Sequence, residues 1–130
     1  MPWELDNDRP IYLQLMERIR QDIIAGTYRP GDKLPSVREL ALDAAVNPNT
    51  MQKALSELER EGLVYSQRTS GRFITEDTIM LKQLKTELAA EQIKAFFEKM
   101  KQLGFENNET LALVEKAMKK EDKHESDIRM

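Results

Sequence analysis

Hydrophobic residues recur at intervals of three and four between residues 10 and 26, which is the spacing of one face of an α-helix. Gly26 closes the pattern, as expected at the end of a helix. We therefore predict a helix here, and its buried stripe comprises Tyr12, Leu15, Met16, Ile19, Ile23 and Ile24. The preceding residues 1–8 form a short acidic arm, which we expect to lie extended and to pack against the body of the protein.

Two helix-start signals follow closely on one another. Ser36 and Glu39 form a capping box, in which the serine oxygen and the glutamate each satisfy a backbone N–H at the helix start. Asn47 is a second cap acceptor, and Pro48 stands at a first-turn position where its missing N–H costs nothing. The short stretch between the two helices leaves room only for a tight turn. This arrangement predicts a helix-turn-helix, whose second helix can enter a DNA major groove.

The second of these helices has two chemically different faces. Apolar residues form one stripe, made of Met51, Ala54, Leu55 and Leu58. Polar residues occupy the other face, namely Asn49, Thr50, Gln52, Lys53 and Ser56, and no acidic residue lies between residues 44 and 56. Amides and a hydroxyl suit base edges, and a lysine suits phosphate or a guanine edge. An ordinary amphipathic surface helix would show the same two faces, so this helix alone does not decide between the two interpretations.

A predicted β-hairpin follows directly. Residues 63–65 and 73–75 are β-type runs, and residues 69–71 supply the turn. The hairpin tip carries Arg68 and Arg72, with no acid between residues 66 and 75, so its cations can meet phosphates or the minor groove. Lys33 and Leu34 can add a minimal strand. A hairpin in this position is a wing, and helix-turn-helix plus wing is far more specific for DNA binding than either part.

From residue 76 the pattern changes to a long helix that ends near Gly104, followed by a second helix capped by Asn107 or Asn108. Two helices with this much apolar surface cannot close a core alone. We expect part of the surface to pack on the winged domain and the rest on a second copy, although it can also all pack within one chain. The predicted dimer interface comprises Leu81, Leu84, Leu88, Ile93, Phe96, Phe97, Met100, Leu111, Val114 and Met118.

These elements predict a mainly α protein with a small β-hairpin. Residues 1–75 form a winged helix-turn-helix DNA-binding domain, and residues 76–130 form a two-helix dimerisation domain whose last residues, 121–130, are expected to fray. Two-fold pairing would place two reading helices about one DNA turn apart, roughly 34 Å, on a palindromic operator.

Composition excludes several other classes. The chain has 130 residues, a net charge of −3, no cysteine and one histidine, so DNA binding requires a local patch and no disulfide or thiolate metal site can form. His124 lies in the charged tail without fixed partners, and no serine has a histidine base, so we predict neither enzyme activity nor a cofactor or metal. No stretch is long and apolar enough to span a membrane, and no signal pattern opens the chain, which predicts a cytoplasmic protein without membrane contact.

The block PIYLQLMERIRQDIIAGTYRPGDKLPSVRELA, followed by VNPNTMQKALSELEREGLVYSQRTSGRFI, resembles the DNA-binding domain of the GntR family of bacterial transcription regulators. The NPNT opening and the short helical tail resemble its YtrA-type branch. The resemblance implies DNA contacts at three places, the first being Ser36 and Arg38. The second is the start of the reading helix, which comprises Asn47, Pro48, Asn49, Thr50, Gln52 and Lys53. The third is the wing tip, which comprises Arg68, Ser70, Gly71 and Arg72. Other branches often carry arginines where this chain has Pro48 and Gln52, so their operator sequences do not transfer.

The resemblance also implies two-fold pairing, and with the apolar surface of the helical tail it predicts a dimeric, sequence-specific transcription regulator that represses by occupying its operator. The resemblance to the YtrA-type branch implies transporter genes as targets. The alternative is a winged-helix module for protein–protein interaction without sequence-specific DNA binding. A small-molecule effector would bind between the helices or across the dimer seam, near Met80, Phe96, Phe97 or Met100, although such residues are more often plain core.

Overall fold

The computed structural model describes residues 3–129, and it describes side chains as far as residue 121. Within these residues the elements are α1 (Ile11–Ile24), α2 (Val37–Ala44), α3 (Pro48–Arg60), β1 (Val64–Gln67), β2 (Gly71–Ile74), α4 (Thr78–Gln102) and α5 (Asn107–Arg129). The chain divides into two compact units, Met1–Lys85, here called the winged domain, and Thr86–Met130, here called the helical unit. None of the described helices is long and apolar enough to cross a membrane.

The core of the winged domain is built from the apolar faces that the sequence predicts. Leu15 and Ile19 of α1, Leu40 of α2, and Leu55 and Leu58 of α3 are all at most 1% exposed. Fully burying each such side chain contributes about 1.5–3 kcal/mol, so these contacts supply most of the stability of the three-helix arrangement. The stripe on α1 is confirmed, with Tyr12 and Ile24 half-buried at its edges.

Both predicted helix starts are confirmed. The side chain of Ser36 accepts a hydrogen bond of 3.1 Å from the backbone N–H of Glu39, and Asn47 Oδ1 accepts one of 2.7 Å from the N–H of Asn49. Between them, Ala45 adopts the left-handed conformation (φ 58°) and ends α2. This residue makes the turn tight enough for α3 to begin at Pro48.

Strands β1 and β2 pair antiparallel, with Val64 opposite Ile74 and Gln67 opposite Gly71. Lys33 forms the predicted extra bridge, opposite Phe73, and the N–H of Leu34 donates to the carbonyl of Arg72 at 2.9 Å. These bonds attach the hairpin to the segment that leads into α2, so the wing is held against the helix-turn-helix.

The N-terminal arm packs as expected over residues 3–8. Gln14, which is buried in α1, accepts from the N–H of Asp6 at 2.6 Å and donates to the carbonyls of Asp6 (2.8 Å) and Arg9 (3.0 Å). Trp3 and Leu5 pack against the winged-domain core. The arm is therefore a part of this domain and not a free tail.

The predicted domain boundary at residue 75 differs from the structure. The winged domain extends to Lys85, because Met80, Leu81 and Leu84 of α4 pack against its core. Leu81 and Leu84 therefore make intrachain contacts, and their assignment to the dimer interface stays a prediction. Met80 also packs against this core, and its part in an effector pocket between the helices or across the dimer seam stays a prediction.

The helical unit contains the remainder of α4 and α5. The helix α5 begins at Asn107, so its cap position is Glu106 and not Asn107 or Asn108; the N–H of Glu106 donates to Glu109 Oε1 at 3.0 Å. Phe96 and Phe97 contact edge to face, with 5.9 Å between ring centroids. From residue 122 onward the side chains, including that of His124, lie outside the described part, and the fraying of residues 121–130 stays a prediction.

Candidate nucleic-acid interface

The start of α2 presents Ser36 and Arg38 to solvent. Because Ser36 uses its oxygen to cap the helix, its side chain and the first N–H groups of α2 form one polar edge. Within the residues that the structure describes, no ion pair or hydrogen bond holds the Arg38 side chain. Its guanidinium can therefore reach an anion without breaking an intrachain contact.

The outward face of α3 carries the predicted base-reading side chains. Asn49, Gln52 and Lys53 are exposed and Thr50 is half-buried, while the opposite face of the helix is fully packed. No acidic residue occupies the first turn. Gln52 Nε2 lies 3.4 Å from Ser56 Oγ, a weak contact that leaves most of the donor and acceptor capacity of the amide for another partner.

Lys53 has a partner that sequence reasoning missed. Its Nζ lies 3.9 Å from the centroid of the Tyr12 ring, a cation–π contact between α3 and α1. The hydrophobic periodicity placed Tyr12 in the core stripe, and its half-buried position fits that assignment only in part. The sequence did carry one signal for this contact, namely a tyrosine at the edge of the hydrophobic stripe of α1, where its ring can face an exposed cation.

The tip of the wing exposes Arg68, Ser70 and Gly71. Gly71 has φ 102°, and a Cβ at this position would lie 3.2 Å from Lys33 Cε. The positive φ favours glycine at this position, and the Lys33 contact adds little because the end of that flexible side chain can shift. Below the tip, Tyr65 and Phe73 stack with 5.7 Å between centroids, which stiffens the hairpin that carries these residues.

Arg72 is placed differently from the other predicted cations. Its side chain is only 18% exposed, and its Nε lies 4.0 Å from Glu59 Oε1 of α3. Glu59 also accepts a hydrogen bond from Ser66 of β1. The three residues thus join the reading helix to the wing. A phosphate contact by Arg72 would have to share its guanidinium with Glu59, whereas Arg68 lies exposed at the tip.

A groove of about 680 Å³ runs between the start of α2 and the wing. It brings together four of the predicted residues, namely Ser36, Ser70, Gly71 and Arg72. Lys33 adds a cation that the sequence reading assigned only to strand pairing, and Glu39, the partner of the Ser36 cap, is the acid in the lining. The lining therefore places cations and hydrogen-bond donors together at the junction of α2 and the wing, the kind of groups that contact phosphates.

The assembled surface consists of a polar helix face, a hairpin tip and the edge of α2, all within the winged domain. Exposed amides next to cations, with the acids of α3 at its other end and Glu39 at the α2 edge, are the chemistry that reads and holds a nucleic-acid duplex.

The comparisons with known proteins agree with this chemistry. Residues 11–74 match the model of the family described as "Bacterial regulatory proteins, gntR family". The HTH-type transcriptional repressor YtrA of Bacillus subtilis is 43% identical over 94 residues, which span 72% of this chain and 68% of that protein.

Two solved structures extend the comparison. A GntR family transcriptional regulator from Listeria monocytogenes is 40% identical, with a TM-score of 0.79 over 86% of this chain and 98% of its own. The DNA-binding domain of AraR in complex with operator ORX1 is 32% identical, with a TM-score of 0.51 over 58% of this chain and 92% of its own.

Proposed function

Because this chain belongs to the GntR family of bacterial regulatory proteins, we propose that it is a homodimeric repressor that occupies a palindromic operator. The protein is a DNA-binding transcription regulator with a winged helix-turn-helix domain. Our proposal goes beyond this statement in three respects: repression, two-fold pairing and the symmetry of the operator. Repression is supported by the likeness to a relative that is itself named a repressor.

The observation that carries the proposal is the free, acid-poor face of α3 beside an exposed wing tip. Asn49, Thr50 and Gln52 are the base-reading side chains in this proposal, because amide and hydroxyl groups pair with base edges in the major groove. Arg38 and Lys53 position the phosphate backbone, and the phosphate contacts carry no sequence information themselves. A globally acidic protein can bind DNA through such a local patch.

The wing supplies the second set of contacts. Arg68, Ser70 and Gly71 at the tip meet the backbone or the adjacent minor groove, and Arg72 lies between Glu59 and the groove beside α2. Because Arg72 Nε forms no hydrogen bond within the described residues, its contact with Glu59 is weak and its guanidinium can also serve a phosphate.

Dimerisation is assigned to the helical unit. Ile93 is 56% exposed, Phe96 43%, Leu111 53% and Met118 59%. Leu88, Phe97, Met100 and Val114 of the same unit are half-buried. Apolar surface of this extent on a small unit marks an interaction site, and a two-fold partner uses the same patch on both copies. Two copies would then present two reading helices to successive major grooves. As a regulator of the bacterial chromosome, the dimer would act in the cytoplasm.

Selection of bound duplexes from a random DNA pool tests the proposal, with sedimentation of the free and bound protein. We expect an enriched palindrome whose half-sites lie about 10 base pairs apart, and a stoichiometry of two chains per duplex. The control is the double variant Asn49→Ala with Gln52→Ala. Both side chains are exposed, so the variant should fold like the wild type and should enrich no sequence. A pool with no enriched sequence would refute sequence-specific binding and would favour a protein-binding module.

A further inference from the structure

Tyr12 lies directly beneath the cationic end of Lys53. The ring is half-buried and packs against the winged-domain core, whereas Lys53 is exposed and its Nζ stands 3.9 Å from the ring centroid. An ammonium within about 6 Å of an aromatic face is attracted by the ring quadrupole. The anchored partner in this pair is the tyrosine, so the tyrosine sets the position of the lysine and not the reverse.

A lysine side chain that nothing holds is costly to fix in one position at an interface. Its four-carbon stem samples many rotamers, and ordering it at an interface costs conformational entropy. A ring face that already holds the ammonium reduces the entropy lost on binding, which is how preorganisation raises affinity. Lys53 lies one helical turn beyond Asn49 on the same outward face of α3, so its position affects the edge of the proposed base-reading surface.

Resting on the proposed DNA-binding role of α3, we propose that Tyr12 is a positioning residue of the interface. Its ring holds the Lys53 ammonium at the rim of the reading face before the duplex arrives. The tyrosine hydroxyl plays no part in this role, so phenylalanine should replace tyrosine without loss. The residue thereby joins α1 to DNA recognition, although α1 contributes no other residue to the assembled surface described above.

Four variants test this on the full chain, with the selected duplex as ligand: Tyr12→Phe, Tyr12→Leu, Lys53→Ala, and Tyr12→Leu combined with Lys53→Ala. Tyr12→Phe should bind within about 1.5-fold of the wild type, because the aromatic face remains. Tyr12→Leu should weaken binding by about two- to tenfold per half-site, because the released lysine must then be ordered when the duplex binds. In the Lys53→Ala background, Tyr12→Leu should have no further effect.

Two controls separate positioning from folding. Tyr28→Leu removes another half-buried tyrosine that packs against the same core; it should lower thermal stability as Tyr12→Leu does and leave DNA affinity unchanged. The ε-methylene protons of Lys53 give a direct readout in the free protein. Ring current should shift them upfield in the wild type and in Tyr12→Phe, and not in Tyr12→Leu.

Each alternative has its own signature. Equal losses in Tyr12→Phe and Tyr12→Leu would mean that the hydroxyl contacts DNA itself, and tighter binding by Tyr12→Leu would mean that the ring withholds the cation; both overturn the inference. Additive losses in the double variant, or no upfield shift, overturn it as well. A wild type that binds no duplex refutes the proposed function together with the inference, whereas unchanged binding by Tyr12→Leu refutes the inference alone.

Discussion

Replacing Arg38 by alanine removes a cation from the start of α2 with no other consequence for the fold. The side chain is exposed, and in the described part of the chain it is held by no ion pair or hydrogen bond. Surface substitutions of this kind change stability by about 0.5 kcal/mol or less. We therefore expect Arg38→Ala to unfold at the wild-type temperature and to bind its operator more weakly.

The expected change in the salt dependence of binding follows from counterion release. Each phosphate that a protein neutralises on duplex DNA contributes about 0.9 to the slope of log K against log salt. Loss of one such contact in each protomer should flatten the slope by about 0.9 per half-site, or nearly two for a two-fold dimer. When salt rises from about 50 to about 200 mM, the affinity of Arg38→Ala should therefore fall less than that of the wild type. The difference is a factor of roughly 3.5 per half-site and roughly 12 for the dimer.

Fluorescence anisotropy with the selected duplex at four or five salt concentrations measures this slope. Arg60→Ala is the matched control, since Arg60 is also an exposed arginine but lies at the C-terminal end of α3 beside Glu57. The control should keep the wild-type slope. If Arg38→Ala keeps it too, Arg38 does not contact phosphate and the assignment of the α2 edge to the interface is wrong.

Three further predictions concern the reading helix, the helical unit and the core. Gln52→Ala should lose about 1–3 kcal/mol of discrimination at one base pair, measured with operator variants; an equal loss on every sequence would contradict base reading. Leu88→Asp should sediment as a monomer with a folded winged domain, and persistent dimers would place the interface elsewhere. Burial, followed by the charges of Asp22 and Asp43, raises the pKa of Tyr28 above 10.0. The neutral phenol is therefore favoured in the fold, and stability should fall as pH rises through and above about 10; Tyr28→Phe should not show this alkaline loss in denaturant titrations, and a parallel loss would contradict it.

Local signals in the sequence were enough to place most of the winged domain. The caps at Ser36 and Asn47 depend on atoms within three residues of each other, so the sequence alone locates the starts of α2 and α3. The turn at Gly71 is equally local, because the positive φ there favours glycine.

Contacts between distant residues account for what the sequence did not reveal. The packing of Leu84 on the winged-domain core moves the domain boundary, and nothing in the period of α4 distinguishes this leucine from those further along the helix. The pairing of Arg72 with Glu59 depends on the angle between the wing and α3. The cation–π contact of Tyr12 with Lys53 depends on the crossing of two helices. In each case the sequence identified the chemical character of the residue, and the structure added a partner that the sequence did not show.

The central claim is that the duplex is bound by α3 and the wing of the winged domain. Backbone amide shifts of the full chain, recorded as the selected duplex is added, test it most directly. We expect the largest changes at residues 36–38, 49–53 and 68–71, with residues of the helical unit such as Ile93 and Leu111 little affected. Shifts confined to the helical unit, with the amides of α3 unchanged, would contradict the account.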